Sequence, residues 1–372
     1  MTESALARMA RGEPVEKNRL HLIGTPDSKL LTESIAEKIQ KLLDLAHEKN
    51  PEFYAQRNVL LQILPEYKFF WSGEPNVTLP WSVRWNHVWA VSDPHGDADQ
   101  WRISINDKYQ HDKLLLSAIR NNGARTTNLI MPCFYGARQD KTTPKRRQPI
   151  TVNQTWKELD AIIWRNGYMY ILDLHNPTSE FSFSEWNTMN FYTWWLIREA
   201  IQRLWFTQEN TLILPADEWG IKKIEWIAED IWFNSLKVTK ARNYDEWWVV
   251  RNIQVSWNIE DIRWKHLIIH DDILDSGWTL CKLLEELLEM QPASISVVIT
   301  HWMFNGQAKQ RLSDVIIKSE WKIKKVFISD SINKQDLPEF VEVIPSWQLF
   351  ANAIINPQSV NRDDNRDYTV QE

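Results

Sequence analysis

Apolar residues along this chain gather into short continuous runs separated by longer amphipathic stretches. The runs are His87–Val91, Asn128–Met131, Tyr168–Leu172, Leu212–Leu214, Leu267–Ile269, Ile295–Ile299 and Lys325–Ile328. Runs of this length without polar alternation read as strands covered on both faces, as in parallel sheets. Between them lie stretches with helical spacing, at about 107–121, 191–205, 221–234 and 279–290. A further helix is predicted near the start, at about 27–48. There Leu30, Leu31, Ile35, Ile39, Leu42, Leu43 and Ala46 recur at helical intervals behind a possible cap at Asp27 or Ser28. Strand–helix alternation at this pitch predicts an α/β fold built on mainly parallel sheets flanked by helices.

Length and charge refine the picture. A chain of 372 residues suggests two domains. With 43 basic and 49 acidic side chains the net charge is −6, which argues against general nucleic-acid binding. No apolar run is long enough for a membrane span, and the polar N-terminus has no secretory h-region. Two cysteines, Cys133 and Cys281, make neither a disulfide framework nor a zinc cage. A cytoplasmic protein is expected. The expected organisation is a loose extension over 1–18, domains over 19–190 and 191–345, a helix over 346–356 packing on the first domain, and a disordered tail over 357–372.

The chemistry concentrates after the run Leu267–Ile269. Asp271 and Asp272 are followed by Asp275, Ser276, Gly277, Trp278 and Thr279, and then a helix. Ligands of open α/β sheets bind at the carboxyl ends of strands. A turn that opens a helix there offers backbone N–H groups to a phosphate, with Ser276 and Thr279 adding hydroxyls. The carboxylates suit sugar hydroxyls or a metal shell. The bland reading, a solvated acidic loop with a helix cap, fits less well directly behind a buried strand.

This segment resembles the phosphoribosyl-diphosphate signature of type I phosphoribosyltransferases, with Ser276 in place of a threonine and Trp278 in place of a glycine. Other segments narrow the resemblance to the ribose-phosphate diphosphokinase family. They are Phe70-Trp-Ser-Gly-Glu74, Pro132–Asp140, Asp173-Leu-His175, Pro215–Ile221, Lys240-Ala-Arg242 and Thr300–Gly306, in the family's order over roughly 20–356. The resemblance implies two tandem phosphoribosyltransferase-like domains. The implied reaction converts ATP and ribose 5-phosphate to 5-phosphoribosyl 1-diphosphate and AMP, with Mg²⁺ and, as is usual in the family, a homo-hexamer.

By the same resemblance Phe70, Glu74, Arg138 and Gln139 hold ATP, and His175 and Asp217 contact Mg²⁺. Lys240 and Arg242 close over the transferring group. Asp271, Asp272, Asp275, Ser276, Gly277 and Thr279 hold ribose 5-phosphate. Ser72 stands where the family has an aspartate at the adenine. Taken alone, a Lys-x-Arg is usually solvated charge and a histidine after a strand is usually structural. A non-catalytic regulatory homologue and a type I phosphoribosyltransferase remain as alternatives.

One number is abnormal. The chain has 22 Trp and only 10 Gly in 372 residues, and glycine ordinarily makes up about 7%. Six tryptophans, Trp85, Trp219, Trp257, Trp264, Trp278 and Trp302, fall where the family pattern has glycine. Trp278 is expected to block or distort the phosphate turn, since tryptophan neither tolerates positive φ nor lets backbone approach a phosphate. Replacement repeatedly by one residue type points to UGA codons that mean glycine being read as tryptophan. Degeneration is the rival, but it should also have erased Lys240, Arg242, Arg138, Asp217 and the acid pair. A Trp-rich ligand-stacking module is a more distant reading.

Overall fold

The computed structural model describes residues 19–51, 58–96, 103–142, 147–163, 167–183, 187–217, 220–236, 259–334 and 336–355. The chain divides into two compact units. The first comprises Met1–Ile171, Asn176–Asn190 and Trp347–Glu372, and the second Leu172–His175 and Phe191–Ser346.

The first unit is built on a six-stranded sheet in the order β2-β1-β3-β4-β5-β6. Its strands are β1 (Leu20–Gly24), β2 (Leu60–Ile63), β3 (His87–Val91), β4 (Thr126–Ile130), β5 (Met169–Leu172) and β6 (Thr188–Phe191). The pairs β1–β2, β1–β3, β3–β4 and β4–β5 are parallel. Consecutive residues such as Leu22 and Ile23, or Leu129 and Ile130, are buried together, as strands covered on both faces require. Helix α1 (Lys29–Lys49) buries Leu31, Ile35, Ala36 and Ile39 along one stripe. Helix α2 (Ile105–Asn121) begins at a capping box in which Ser104 and Asp107 satisfy each other's backbone N–H. Helix α3 (Thr151–Ile163) follows β4.

The second unit repeats the plan. Its sheet runs β12-β11-β10-β9-β7-β8, all parallel. The strands are β7 (Thr211–Pro215), β8 (Asn234–Ser235), β9 (His266–Leu274), β10 (Ser294–Trp302), β11 (Ile323–Ser329) and β12 (Val341–Ile344). Numbered from its own first strand, this order is that of the first unit. Helices α4 (Trp194–Leu204), α5 (Ile221–Asp230), α6 (Ile259–Ile262), α7 (Trp278–Glu289) and α8 (Ala308–Lys318) accompany it. In α7, Leu280, Leu283, Leu284 and Leu287 form the apolar stripe, packed on Leu267, Ile269, Val297 and Ile299 of the sheet.

The last helix, α9 (Trp347–Ile355), belongs to the first unit and packs on α1. The Tyr170 hydroxyl donates to the Ala353 carbonyl at 3.0 Å, which ties α9 to β5 as well.

Strands β9 and β10 run further than the apolar pattern indicated. Past Ile269 and Ile299 the ladder continues, pairing Asp271 with Ile299, Ile273 with His301 and Leu274 with Trp302. Backbone pairing does not depend on an apolar side chain, so polar residues hide the end of a strand from a reading of hydropathy. Helices α3, α6 and α8 and strands β1, β2, β6, β8 and β12 escaped that reading too. Among the described residues no helix is long and apolar enough to cross a membrane.

Candidate active site

In the second unit the direction of strand progression reverses between β7 and β9, and a doubly wound sheet has its ligand crevice at such a point. Two segments leave carboxyl ends there. Asp217 follows β7, with the Gly220 N–H 3.2 Å from its carbonyl oxygen and 3.3 Å from Oδ1. The segment Asp271–Thr279 ends β9 and opens α7.

The turn into α7 is closed by Gly277 at φ +70°, a left-handed conformation that suits glycine. The first helical bond runs from the Cys281 N–H to the Gly277 carbonyl at 2.9 Å. The N–H groups of the first turn therefore face outward from the helix end, where an anion is favoured. The turn is braced from α8 and from the segment after β10. Arg311 donates to the Ser276 carbonyl at 2.9 Å. The Asn305 side chain donates to Asp275 Oδ1 at 2.8 Å, and its N–H bonds the Asp275 carbonyl at 3.0 Å.

Trp278 is the first residue of α7, with ordinary helical backbone, and it does not distort this turn. Its half-exposed indole lies 4.9 Å from Lys282 Nζ and 5.6 Å from the Arg311 guanidinium carbon. Trp302 likewise makes no demand for glycine. It is buried at the end of β10 and stacked on Phe304 at 3.6 Å.

Two of the acids sit on a strand rather than a loop. Asp271 and Asp272 are neighbours in β9, so their side chains leave opposite faces. Asp272 Oδ2 lies 2.7 Å from Nδ1 of His175. Burial alone would raise the Asp272 carboxyl, but the hydrogen bond with His175 and the nearby Lys223 ammonium hold it far below the usual carboxylate range. A histidine that donates from Nδ1 to a carboxylate presents its Nε2 lone pair outward, the arrangement common in metal-binding histidines.

Behind this pair lies a buried polar network that sequence reasoning missed. Asp173, at φ 48°, accepts from the Lys223 ammonium, from Thr193 Oγ1 at 2.9 Å and from Thr300 Oγ1 at 2.5 Å. Burial opposes ionisation of Asp173, and Lys223 outweighs it, so its carboxyl is lowered. His301 donates from Nε2 to the Leu172 carbonyl at 2.8 Å, leaving Nδ1 to accept from Ser331 at 2.9 Å. Burial keeps His270 and His301 neutral, with His270 pushed down to about 3. The segment carrying His175 is thus anchored two residues earlier. Lys223 stands in the first turn of α5, six residues beyond Asp217, and only the fold brings it to Asp173.

Four further predicted residues, Phe70, Glu74, Arg138 and Gln139, lie in the first unit. Phe70 and Glu74 close a small antiparallel turn through Phe70 N–H to Glu74 O at 2.8 Å, with Gly73 at φ +88°. The Phe70 ring is exposed, and Ser72 donates to Glu74 Oε2 at 2.8 Å. Arg138 is exposed after β4, and the Gln139 side chain accepts from Thr151 at the start of α3. Gly136 precedes them at φ +77°, where a Cβ would meet Thr151 at 2.8 Å. Lys240 and Arg242, with Trp219 and Trp257, lie outside the described residues.

Comparison with known proteins agrees with this architecture. Residues 20–162 match the N-terminal domain of ribose phosphate pyrophosphokinase, and residues 222–332 match the phosphoribosyl transferase domain. This chain belongs to the ribose-phosphate pyrophosphokinase family. It is 29% identical over 255 residues to the ribose-phosphate pyrophosphokinase of Brucella melitensis biotype 1, covering 67% of this chain and 76% of that protein. It is 25% identical over 289 residues to the Thermotoga maritima ribose-phosphate pyrophosphokinase, covering 77% of this chain and 84% of that one. The crystal structure of phosphoribosylpyrophosphate synthetase from Mycobacterium smegmatis has the same fold. It matches with a TM-score of 0.72 at 18% identity, over 92% of this chain and 100% of that one.

Within the pyrophosphokinase family frame, the residues that sequence reasoning overlooked are the supports, Lys223, Asn305 and Arg311. Asn305 was visible only as part of the Thr300–Gly306 segment, and Arg311 carried no motif at all.

Proposed function

We propose that this chain transfers the diphosphate of ATP to the 1-hydroxyl of ribose 5-phosphate, giving 5-phosphoribosyl 1-diphosphate and AMP. The observation that carries the reading is the β9–α7 turn. A carboxylate-bearing strand, a left-handed Gly277 and a helix N-terminus stand together at the reversal of a parallel sheet. In this reading the 5-phosphate accepts from the first-turn N–H groups and from Ser276 and Thr279, while Asp271, Asp272 and Asp275 accept from sugar hydroxyls. Arg138, Gln139, Phe70 and Glu74 hold ATP, and Lys240 and Arg242 neutralise the transferring group.

The sugar O1 forms a bond to the β-phosphorus as the bond from that phosphorus to the AMP oxygen breaks. No covalent enzyme intermediate is needed, so positioning and charge supply the catalysis. Mg²⁺ fits the donors present. Among the described residues no three His, Cys, Asp or Glu side chains converge as a complete cage, and magnesium is typically held by one or two protein groups plus substrate phosphates and water. His175 through Nε2 and Asp217 would hold it, and it would neutralise phosphate charge. A cytoplasmic homo-oligomer completes the reading.

The test is AMP formation from ATP, Mg²⁺ and ribose 5-phosphate, with and without chelator. Chelator-sensitive AMP release that depends on the sugar phosphate supports the assignment. ATP binding without AMP identifies a regulatory homologue. Consumption of 5-phosphoribosyl 1-diphosphate with a nucleobase, without use of ATP, identifies a phosphoribosyltransferase.

A further inference from the structure

Ten non-glycine residues among those described have positive φ, and five of them are tryptophans: Trp85 (66°), Trp205 (56°), Trp232 (62°), Trp264 (65°) and Trp321 (71°). Tryptophan supplies only 22 of the 372 residues. A bulky residue at positive φ is a genuine outlier, because its Cβ crowds the following carbonyl.

Each of the five occupies a turn position that calls for glycine. At the end of α4 the Trp205 N–H bonds Gln202 O at 3.1 Å and the Phe206 N–H bonds Ile201 O at 3.2 Å. At the end of α5 the Trp232 N–H bonds Glu229 O at 3.3 Å and the Phe233 N–H bonds Ala228 O at 2.8 Å. Both are Schellman motifs with tryptophan at the left-handed C′ residue, where glycine is the usual occupant. The other three stand third in β-turns closed by Asn86 N–H to Val83 O at 3.1 Å, Lys265 N–H to Ile262 O at 3.0 Å and Lys322 N–H to Ser319 O at 3.0 Å. In the last of these Glu320 is also left-handed, which makes a type I′ turn.

The indoles gain nothing in return. They are 59%, 90%, 79%, 69% and 84% exposed for Trp85, Trp205, Trp232, Trp264 and Trp321. All five lie shortly before a strand, ahead of β3, β7, β8, β9 and β11 respectively. They therefore mark the amino ends of the sheets, whereas ligands of such sheets bind at the carboxyl ends. Stacking on substrate does not explain them.

We infer that these five positions are glycine in the functional protein, and that their codons are UGA triplets read as glycine in its own cells. Backbone conformation and hydrogen bonding carry this, independently of the reaction proposed above. It adds Trp205, Trp232 and Trp321 to the positions indicated by motif comparison. It also separates them from tryptophans that the fold uses. Trp89 and Trp194 are buried, and Trp89 packs on Tyr170 at 4.6 Å.

The decisive experiment reads the five codons and sequences peptides, by mass spectrometry, of the chain purified from its native cells. UGA codons and glycine at all five positions, with UGG codons and tryptophan at Trp89 and Trp194, are expected. Tryptophan at Trp205 or Trp232 in the native chain overturns the inference and favours an aromatic docking rim at the amino ends of the sheets. As a second measurement, the chain carrying Trp85→Gly, Trp205→Gly, Trp232→Gly, Trp264→Gly and Trp321→Gly is compared with the chain as written in thermal unfolding. A higher midpoint, by about 2 °C or more per position, is expected. An unchanged or lower midpoint counts against the inference.

Discussion

The two units share one strand order and treat the same topological point in opposite ways. In the first unit the crevice between β1 and β3 is filled by the protein itself. Asp27 accepts from the Tyr67 hydroxyl and from Lys108, each at 2.8 Å, and Lys108 also donates to the Gly96 carbonyl at 2.8 Å. Ser92 donates to Asp112 at 2.5 Å, and all these side chains are buried. Gly96 seals the turn, since a Cβ there would meet Asp27 and Asp93 at 2.7 Å. In the second unit the matching crevice, between β7 and β9, keeps Asp217, Asp271 and Asp275 partly accessible and Ser276 exposed. Topology offers a ligand position in both units, and side chains decide which one stays open to a ligand.

Each unit also has a buried lysine–aspartate pair beside its crevice, and removing the lysine tests the comparison most severely. Lys108→Met and Lys223→Met each leave a buried carboxylate uncompensated, at about 3–5 kcal/mol by denaturant unfolding. Only Lys223→Met should also depress AMP formation in the surviving folded protein, because Asp173 anchors the segment bearing His175. An equal loss of specific activity in both variants would break the contrast.

The sealed crevice is expected to respond to pH. Burial, with the charges of Asp27 and Asp93, lifts Asp112 to about 8 despite the Ser92 hydrogen bond. The unfolded chain ionises it near pH ~4. Stability tied to this group is therefore full below that pH, falls as pH rises and is lost by about 8. Asp112→Asn, which cannot ionise, should gain on the native chain across that window, by about 2 kcal/mol or more at its upper end. Unfolding curves at several pH values check it, and a constant difference would show that Asp112 does not titrate in this range.

The open crevice should respond to substrate instead. Asp275→Asn is expected to raise KM for ribose 5-phosphate about 10- to 100-fold, the loss of a charge-assisted hydrogen bond. KM for ATP should change little, and Asn305 is retained to hold the turn. The smallest effect is expected at a solvent-exposed helix cap. Ser104→Ala removes the cap of α2 for about 1 kcal/mol and leaves turnover intact.

Much of this is legible in the sequence. Continuous apolar runs marked seven strands that the structure contains, and the cluster from Asp271 to Thr279 stood out because carboxylates, hydroxyls and glycine rarely follow a buried strand by accident. What escaped had physical causes. Strands β9 and β10 outlast their apolar runs because backbone pairing ignores side-chain polarity. The anchoring of His175 escaped because Asp173, Thr193, Lys223 and Thr300 are scattered in sequence. Trp278 was expected to distort its turn, yet its backbone is regular, and the strain sits at helix ends and tight turns, at Trp85 and Trp264, which the motif comparison had named, and at Trp205, Trp232 and Trp321, which it had not.

The sequence by itself determined the class of fold, its seven best-marked strands and the grouping of carboxylates, hydroxyls and glycine from Asp271 to Thr279, because these depend on local periodicity and on residues adjacent in the chain. Only the tertiary structure decided which crevice is sealed and which carboxylate is held ionised by a histidine. It also decided which tryptophans are forced to positive φ. Those outcomes depend on burial, on contacts between distant residues and on backbone conformation imposed by neighbouring elements, none of which is written in a linear pattern.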